Sequence, residues 1–68
     1  MDKGKLTNKN STFEEFKNAV KDVLVSDYSC TNGEADRLVK DEVEDIKYGY
    51  SHEYLVGSIA WGLSLLAE

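Results

Sequence analysis

The most constraining feature of the sequence is a run without charged side chains, Tyr54 to Ala67, in a chain in which 31% of the residues are charged. A helix that spans a membrane needs about 20 apolar residues. This run has fourteen residues, two glycines and two serines among them, and it follows His52 and Glu53. We therefore interpret it as the central helix of a globular domain, and we expect no membrane interaction.

This third predicted helix is apolar around nearly its whole circumference. Its large aliphatic side chains share one arc at about 100° per residue, as a core-facing stripe should. They are Leu55, Val56, Ile59, Leu63 and Leu66. A flank of small residues consists of Gly57, Ala60, Ser64 and Ala67. Opposite the aliphatic arc lie Tyr54, Trp61 and Leu65. A helix of this kind is normally buried on more than one side, so this second face is covered by the rest of the domain, by a second copy or by a partner.

Capping signals mark where the first helix begins. Ser11 with Glu14, or Thr12 with Glu15, has the spacing at which a hydroxyl and a carboxylate each bind a free backbone N–H. Apolar residues then recur every three or four positions and predict one core face. They are Phe13, Phe16, Ala19, Val20, Val23 and Leu24. We expect this helix to end near Asp27.

The second helix is predicted over residues 33–48. Thr31 and Glu34 repeat the capping-box spacing at its start, and Gly49 is interpreted as a left-handed stop after it. Ser51 is predicted to be the N-cap of the third helix.

Two different faces are expected on this second helix. The apolar face consists of Ala35, Val39, Val43, Ile46 and, if the helix continues, Tyr50. A separate arc, interrupted only by Leu38, carries the carboxylates of Glu34, Asp41, Glu42 and Asp45. No basic residue lies in that arc, which makes it the most polarised surface that the sequence predicts.

These patterns predict an all-α protein: a compact three-helix bundle with a flexible basic N-terminal tail. Residues 1–10 are polar, aperiodic and carry a net charge of +2, so we expect a disordered tail, followed by one domain at residues 11–68. Cys30 is the only cysteine, and the N-terminus lacks the apolar core of a signal peptide. Both features favour a reducing cytoplasm.

The composition argues against several classes of function. Eight basic residues against thirteen acidic ones, with a net charge of −5, suit a basic protein partner better than direct nucleic-acid binding. Cys30 and His52 lie on connections at opposite ends of the second helix, roughly 20 Å apart in a bundle, and one Cys with one His cannot complete a zinc site. The chain has no calcium-binding loop pattern and no glycine-rich phosphate loop. We therefore expect no enzyme, no cofactor and no metal.

Two hypotheses follow. In the first, the protein is an interaction module that binds a protein partner or forms a homodimer through Tyr54, Trp61 and Leu65. In the second, it is an acidic inhibitor of the kind that phages and plasmids encode, and its carboxylates occupy a basic cleft on a nucleic-acid-handling protein. The carboxylates in question are Glu34, Asp41, Glu42 and Asp45.

The opening of the first helix, Ser11 to Phe16 (Ser-Thr-Phe-Glu-Glu-Phe), followed by an acidic second helix, resembles the acidic helical immunity proteins that neutralise bacterial toxins. The resemblance covers the first two predicted helices. The chain has no proline and therefore lacks the Tyr-Tyr-Pro element of the nuclease-immunity group, so no binding residue is carried over. What the resemblance implies is a protein that binds and blocks another protein.

Overall fold

The computed structural model describes residues 3–66, and this part of the chain is all-helical. A short 3-10 turn at Lys3–Lys5 precedes four α-helices: α1 (Phe13–Asp27), α2 (Asn32–Asp41), α3 (Val43–Ser51) and α4 (Val56–Leu66). The all-α prediction is confirmed for these residues, whereas the predicted number of three helices is wrong. Ala67 and Glu68, which were assigned to the domain, lie outside the described residues.

The second predicted helix is divided in two at Glu42. This residue ends α2 and precedes α3, with φ −110° and ψ 28°, and its N–H donates to the carbonyl of Leu38 at 2.9 Å. Leu38 is buried, and a straight helix would place Glu42 and Asp45, four and seven residues further on, on the same face. The break therefore lets α2 bury Leu38 without burying two carboxylates, which is costly without partners.

Gly49 does not end a helix as predicted. It lies inside α3, and the left-handed backbone conformations occur instead at Ser29 (φ 58°) and Glu53 (φ 61°). Gly49 is buried against α4, and a Cβ at this position would lie 2.9 Å from Cγ1 of Ile59. Its role is thus the close approach of two helices. Ser51, predicted as the N-cap of the last helix, is the last residue of α3.

The predicted starts of the first two helices are confirmed. Thr12 caps α1: its Oγ1 accepts from the N–H of Glu15 at 3.2 Å, and the Glu15 carboxylate accepts from the N–H of Thr12 at 2.8 Å. Thr31 and Glu34 form the same reciprocal pair at the start of α2. Each such cap typically stabilises its helix by about 1 kcal/mol.

The core lies between α1 and the other helices. Its buried side chains are Phe16, Ala19, Val20, Val23 and Leu24 of α1, Ala35, Leu38 and Val39 of α2, Ile46 of α3, and Val56, Ala60 and Leu63 of α4. The core face predicted for α1 is confirmed. The aliphatic arc predicted for α4 is only partly correct, because Leu55 and Leu66 are exposed while Ala60 is buried.

The segment before α1 packs on the helices. Leu6 contacts the core, and its carbonyl accepts from the N–H of Val56 at the start of α4 at 3.0 Å. Lys9 forms an exposed ion pair with Glu53 at 3.1 Å, and the hydroxyl of Tyr50 donates to the carbonyl of Ser11 at 2.9 Å. The predicted flexibility of residues 1–10 is therefore not confirmed for residues 3–10, and residues 1 and 2 lie outside the described part.

Candidate functional site

Exposed large apolar side chains are concentrated around α4. Among the described residues, Tyr48, Tyr54, Leu55, Trp61, Leu65 and Leu66 belong to this group, and only Tyr28 lies elsewhere. Trp61 has the highest exposed fraction of them, 58%. Single exposed apolar residues are ordinary, but several on one element indicate a contact surface.

A groove of about 750 Å³ runs along α4. Its apolar lining consists of Tyr54, Ile59, Trp61, Leu63 and Leu66. Small residues, Gly57, Ser58 and Gly62, complete the α4 side, and a Cβ at Gly62 would meet no atom within 4 Å. Asp45 of α3 is the single charged side chain among the described residues that line the groove. The groove, which we call the α4 groove, is thus an apolar trough with a carboxylate in its wall.

The apolar set predicted from the sequence lies on the surface. Tyr54 is 44% exposed and Leu65 is 53% exposed, comparable to Trp61. Tyr54 and Trp61 line the α4 groove together, whereas Leu65 does not, and Leu66, which was assigned to the core, lines it instead. The structure therefore brings together two of the three predicted residues.

Tyr54 is held by an aromatic cluster at the end of α3. It meets Tyr48 edge to face at 5.8 Å, and Tyr48 stacks on His52 at 3.8 Å with an interplanar angle of 18°. Nδ1 of His52 lies 2.8 Å from the carbonyl of Tyr48. These contacts hold one wall of the α4 groove in place.

The acidic set is divided by the structure. Asp41, Glu42 and Asp45 come together where α2 meets α3, and the pKa of Glu42 is raised above its ordinary value, first by desolvation, then by a hydrogen bond with Asp45 and the negative charges of Asp45 and Asp41. Within residues 3–66, none of the three forms an ion pair with a basic side chain. Glu34 has a different role, since its carboxylate accepts from the backbone N–H and hydroxyl of Thr31.

The sequence pattern predicts Asp45 only as a member of the acidic set, whereas the structure also places it in the lining of the α4 groove. The spacing of Asp45 and Gly49 could have indicated this position, because residues four apart share one face of a helix. Gly49 is the point at which α3 contacts α4, so the Asp45 side chain lies on the side of α3 that faces α4.

Cys30 and His52, the chain's single cysteine and single histidine, have different surroundings. Cys30 is half-buried, packs against the core and donates its N–H to the carbonyl of Leu24 at 3.1 Å. His52 is exposed and stacks on Tyr48 at the end of α3. In the part of the chain that the structure describes, no three His, Cys, Asp or Glu side chains are arranged to hold a metal ion.

No protein-family model, curated protein or solved structure matches this chain. Across residues 3–66, none of the helices combines the length and the apolar character that crossing a bilayer would require.

Proposed function

We propose that the protein is a non-enzymatic interaction module that binds a protein partner, or a second copy of itself, through the face of α4 that carries Tyr54, Trp61 and Leu65. The observation that supports this most is the exposure of Trp61, 58%, beside a groove in which Asp45 is the one charged residue of the described lining. A cytoplasmic location belongs to the same proposal, since a single thiol without a disulfide partner suits a reducing compartment.

Trp61 and Tyr54 have the properties of interface anchors. Tryptophan and tyrosine are enriched among residues whose truncation costs most in binding. Covering the exposed part of a half-exposed tryptophan is worth roughly 3 kcal/mol. Tyr54 is already held by Tyr48 and His52, so less side-chain freedom is lost when a partner binds.

The test is capture of proteins from a lysate of the source organism on the immobilised chain, together with sedimentation of the free chain at rising concentration. We expect Trp61→Ala with Leu65→Ala to abolish specific capture or, if a second copy is the partner, self-association. Tyr28→Ala is the matched control because it truncates an exposed aromatic residue outside α4, and it should change neither result. A strict monomer whose captured proteins are the same with and without Trp61 would refute the proposal.

A second candidate function is favoured by the three carboxylates that form no ion pair with a described basic side chain. In it, the protein is an acidic inhibitor of phage or plasmid type that mimics nucleic acid and blocks a basic protein. Asp41, Glu42 and Asp45 supply a compact negative surface. Desolvation is the main cause of the raised pKa of Glu42, and the repulsion from Asp45 and Asp41 that adds to it would be relieved by a basic cleft. Glu34 is a weaker member of this site, because its carboxylate already caps α2.

The two functions are separated by variants that touch one surface each. Asp41→Lys alters the acidic surface alone, because Asp41 does not line the α4 groove, and Trp61→Ala alters the groove alone. An inhibitor that acts through the carboxylates would lose salt-sensitive capture of a basic protein with Asp41→Lys and keep it with Trp61→Ala. Loss of capture with Trp61→Ala supports the interaction module.

A further inference from the structure

We infer that the α4 groove binds a cationic amphipathic helix, with its apolar stripe on Trp61 and a lysine or arginine beside that stripe paired with Asp45. This inference rests on the proposed function and specifies the partner. It is carried by the position of Asp45, which belongs to the acidic surface and at the same time lines the groove with Tyr54 and Trp61.

The negative charge of the groove favours a positively charged partner. Among the residues that the structure describes, no lysine or arginine lines the groove, and Asp41 and Glu42 add negative charge next to Asp45. Aromatic faces also attract cations, and Tyr54 and Trp61 line the same space as the Asp45 carboxylate. A neutral partner would leave that carboxylate desolvated without a counter-charge, and an acidic partner would be repelled.

The shape of the groove suits a helix. Its walls are aromatic and aliphatic side chains, and Gly62 lies open, with no atom within 4 Å of where a Cβ would be. An amphipathic helix fits such a groove by placing its apolar residues in the trough while the charged residues beside its stripe reach the rim.

A second copy of the chain suits the groove less well. The helix α4 carries no lysine or arginine, so packing α4 against α4 brings no cation from that helix to Asp45. In a two-fold symmetric dimer both copies contribute the same patch, and the two Asp45 side chains would enter one interface. The charge pattern therefore favours a basic partner over self-association.

The experiment uses three labelled helical peptides of about 14 residues, or four turns, with the same leucine stripe and with lysine, glutamine or glutamate as the polar residue. Fluorescence anisotropy measures their binding to the full chain. We expect the lysine peptide to bind about tenfold more tightly than the glutamine peptide at about 0.05 M salt, and less so at about 0.5 M. The glutamate peptide should bind most weakly.

Matched variants locate the contact. Asp45→Asn should weaken the lysine peptide by about three- to fivefold without weakening the glutamine peptide, which no longer desolvates a carboxylate. Glu44→Gln removes the same charge at the adjacent exposed position, which does not line the groove, and should have little effect. Trp61→Ala should weaken both peptides by about 30-fold. Circular dichroism of each variant shows that the helices are retained.

Several outcomes overturn the inference, and they differ in what they mean for the proposed function. Equal binding of the lysine and glutamine peptides, both dependent on Trp61, refutes the cationic partner but keeps the interaction module. The same holds if no peptide binds and the chain instead forms a dimer that Trp61→Ala dissociates. If Glu44→Gln weakens the lysine peptide as much as Asp45→Asn does, general attraction to an acidic protein explains the binding, and the specific pairing with Asp45 is refuted. Binding of no peptide by a chain that stays monomeric, with lysate capture insensitive to Trp61, refutes both.

Discussion

Replacing Gly49 by alanine is expected to destabilise the contact between α3 and α4. The new methyl group would lie 2.9 Å from Cγ1 of Ile59 and would also overlap its Cδ1, so one side chain or one helix must move. Overpacking of this kind typically costs about 1–3 kcal/mol. Alanine in place of glycine inside a helix returns up to about 1 kcal/mol. We therefore expect the free energy of unfolding to fall by about 1 kcal/mol, which lowers Tm by roughly 4–8 °C in a domain of this size.

A double-mutant cycle with Ile59→Ala tests whether overlap with the Ile59 side chain causes this loss of stability. Ile59 is partly buried, so its truncation should cost about 1–2 kcal/mol, at or below the low end of the range for core isoleucine. In the double variant the methyl group added at position 49 occupies space that the Ile59 side chain has left, so the losses should fall short of their sum by the relieved overpacking cost, about 2 kcal/mol. Urea unfolding followed by circular dichroism measures all four chains.

Gly33→Ala is the matched control for Gly49→Ala. Gly33 lies in α2, and a Cβ there would meet nothing within 4 Å, so this change should stabilise by up to about 1 kcal/mol. The reasoning is refuted if Gly49→Ala is as stable as Gly33→Ala, or if the losses from Gly49→Ala and Ile59→Ala simply add.

Two further changes test other contacts. Tyr50→Phe removes the hydroxyl that donates to the carbonyl of Ser11 and should lower the free energy of unfolding by about 1 kcal/mol in urea titrations; an unchanged value would mean that water replaces this bond at no cost. Glu42→Gln should raise Tm at pH 7. The raised pKa of Glu42 means that its ionised form is less favourable in the folded chain than in the unfolded chain, so the wild-type protein loses stability as the pH rises through this pKa. The gain should vanish near about pH 3, where the carboxyl is protonated in both states, and Glu44→Gln should give a smaller gain; a gain that persists in acid would contradict the electrostatic cause.

The features that could be predicted from the sequence are local ones. The caps at Thr12 and Thr31 depend on a residue three positions away in the chain, and the core face of α1 follows from apolar residues that recur every three or four positions. Which face of α4 is buried could not be derived in this way. Because nearly all of its side chains are apolar, the pattern does not distinguish the face with Ala60, which is buried, from the face with Leu66, which is exposed.

The break at Glu42 depends on contacts that a single helix pattern does not contain. Leu38 was placed among the carboxylates because a straight helix puts it there, yet Leu38 is buried in the core with α1. Neither glycine nor proline marks the junction. The carboxylates at the fourth and seventh positions after Leu38 give the physical reason for the break, but they favour it only when Leu38 is known to be buried.

This break also explains why two sites predicted separately share a residue. Gly49 brings α3 against Ile59 of α4, and Asp45, one helical turn before Gly49, is thereby placed in the lining of the groove that Trp61 shares. The close packing at Gly49 and the charge of the groove are thus one feature of the fold. Gly49→Ala should accordingly reduce the preference for the lysine peptide over the glutamine peptide, because α3 moves away from α4, whereas Gly33→Ala should leave that preference intact. A Gly49→Ala chain that is destabilised but keeps the full preference would show that the position of Asp45 does not depend on this helix contact.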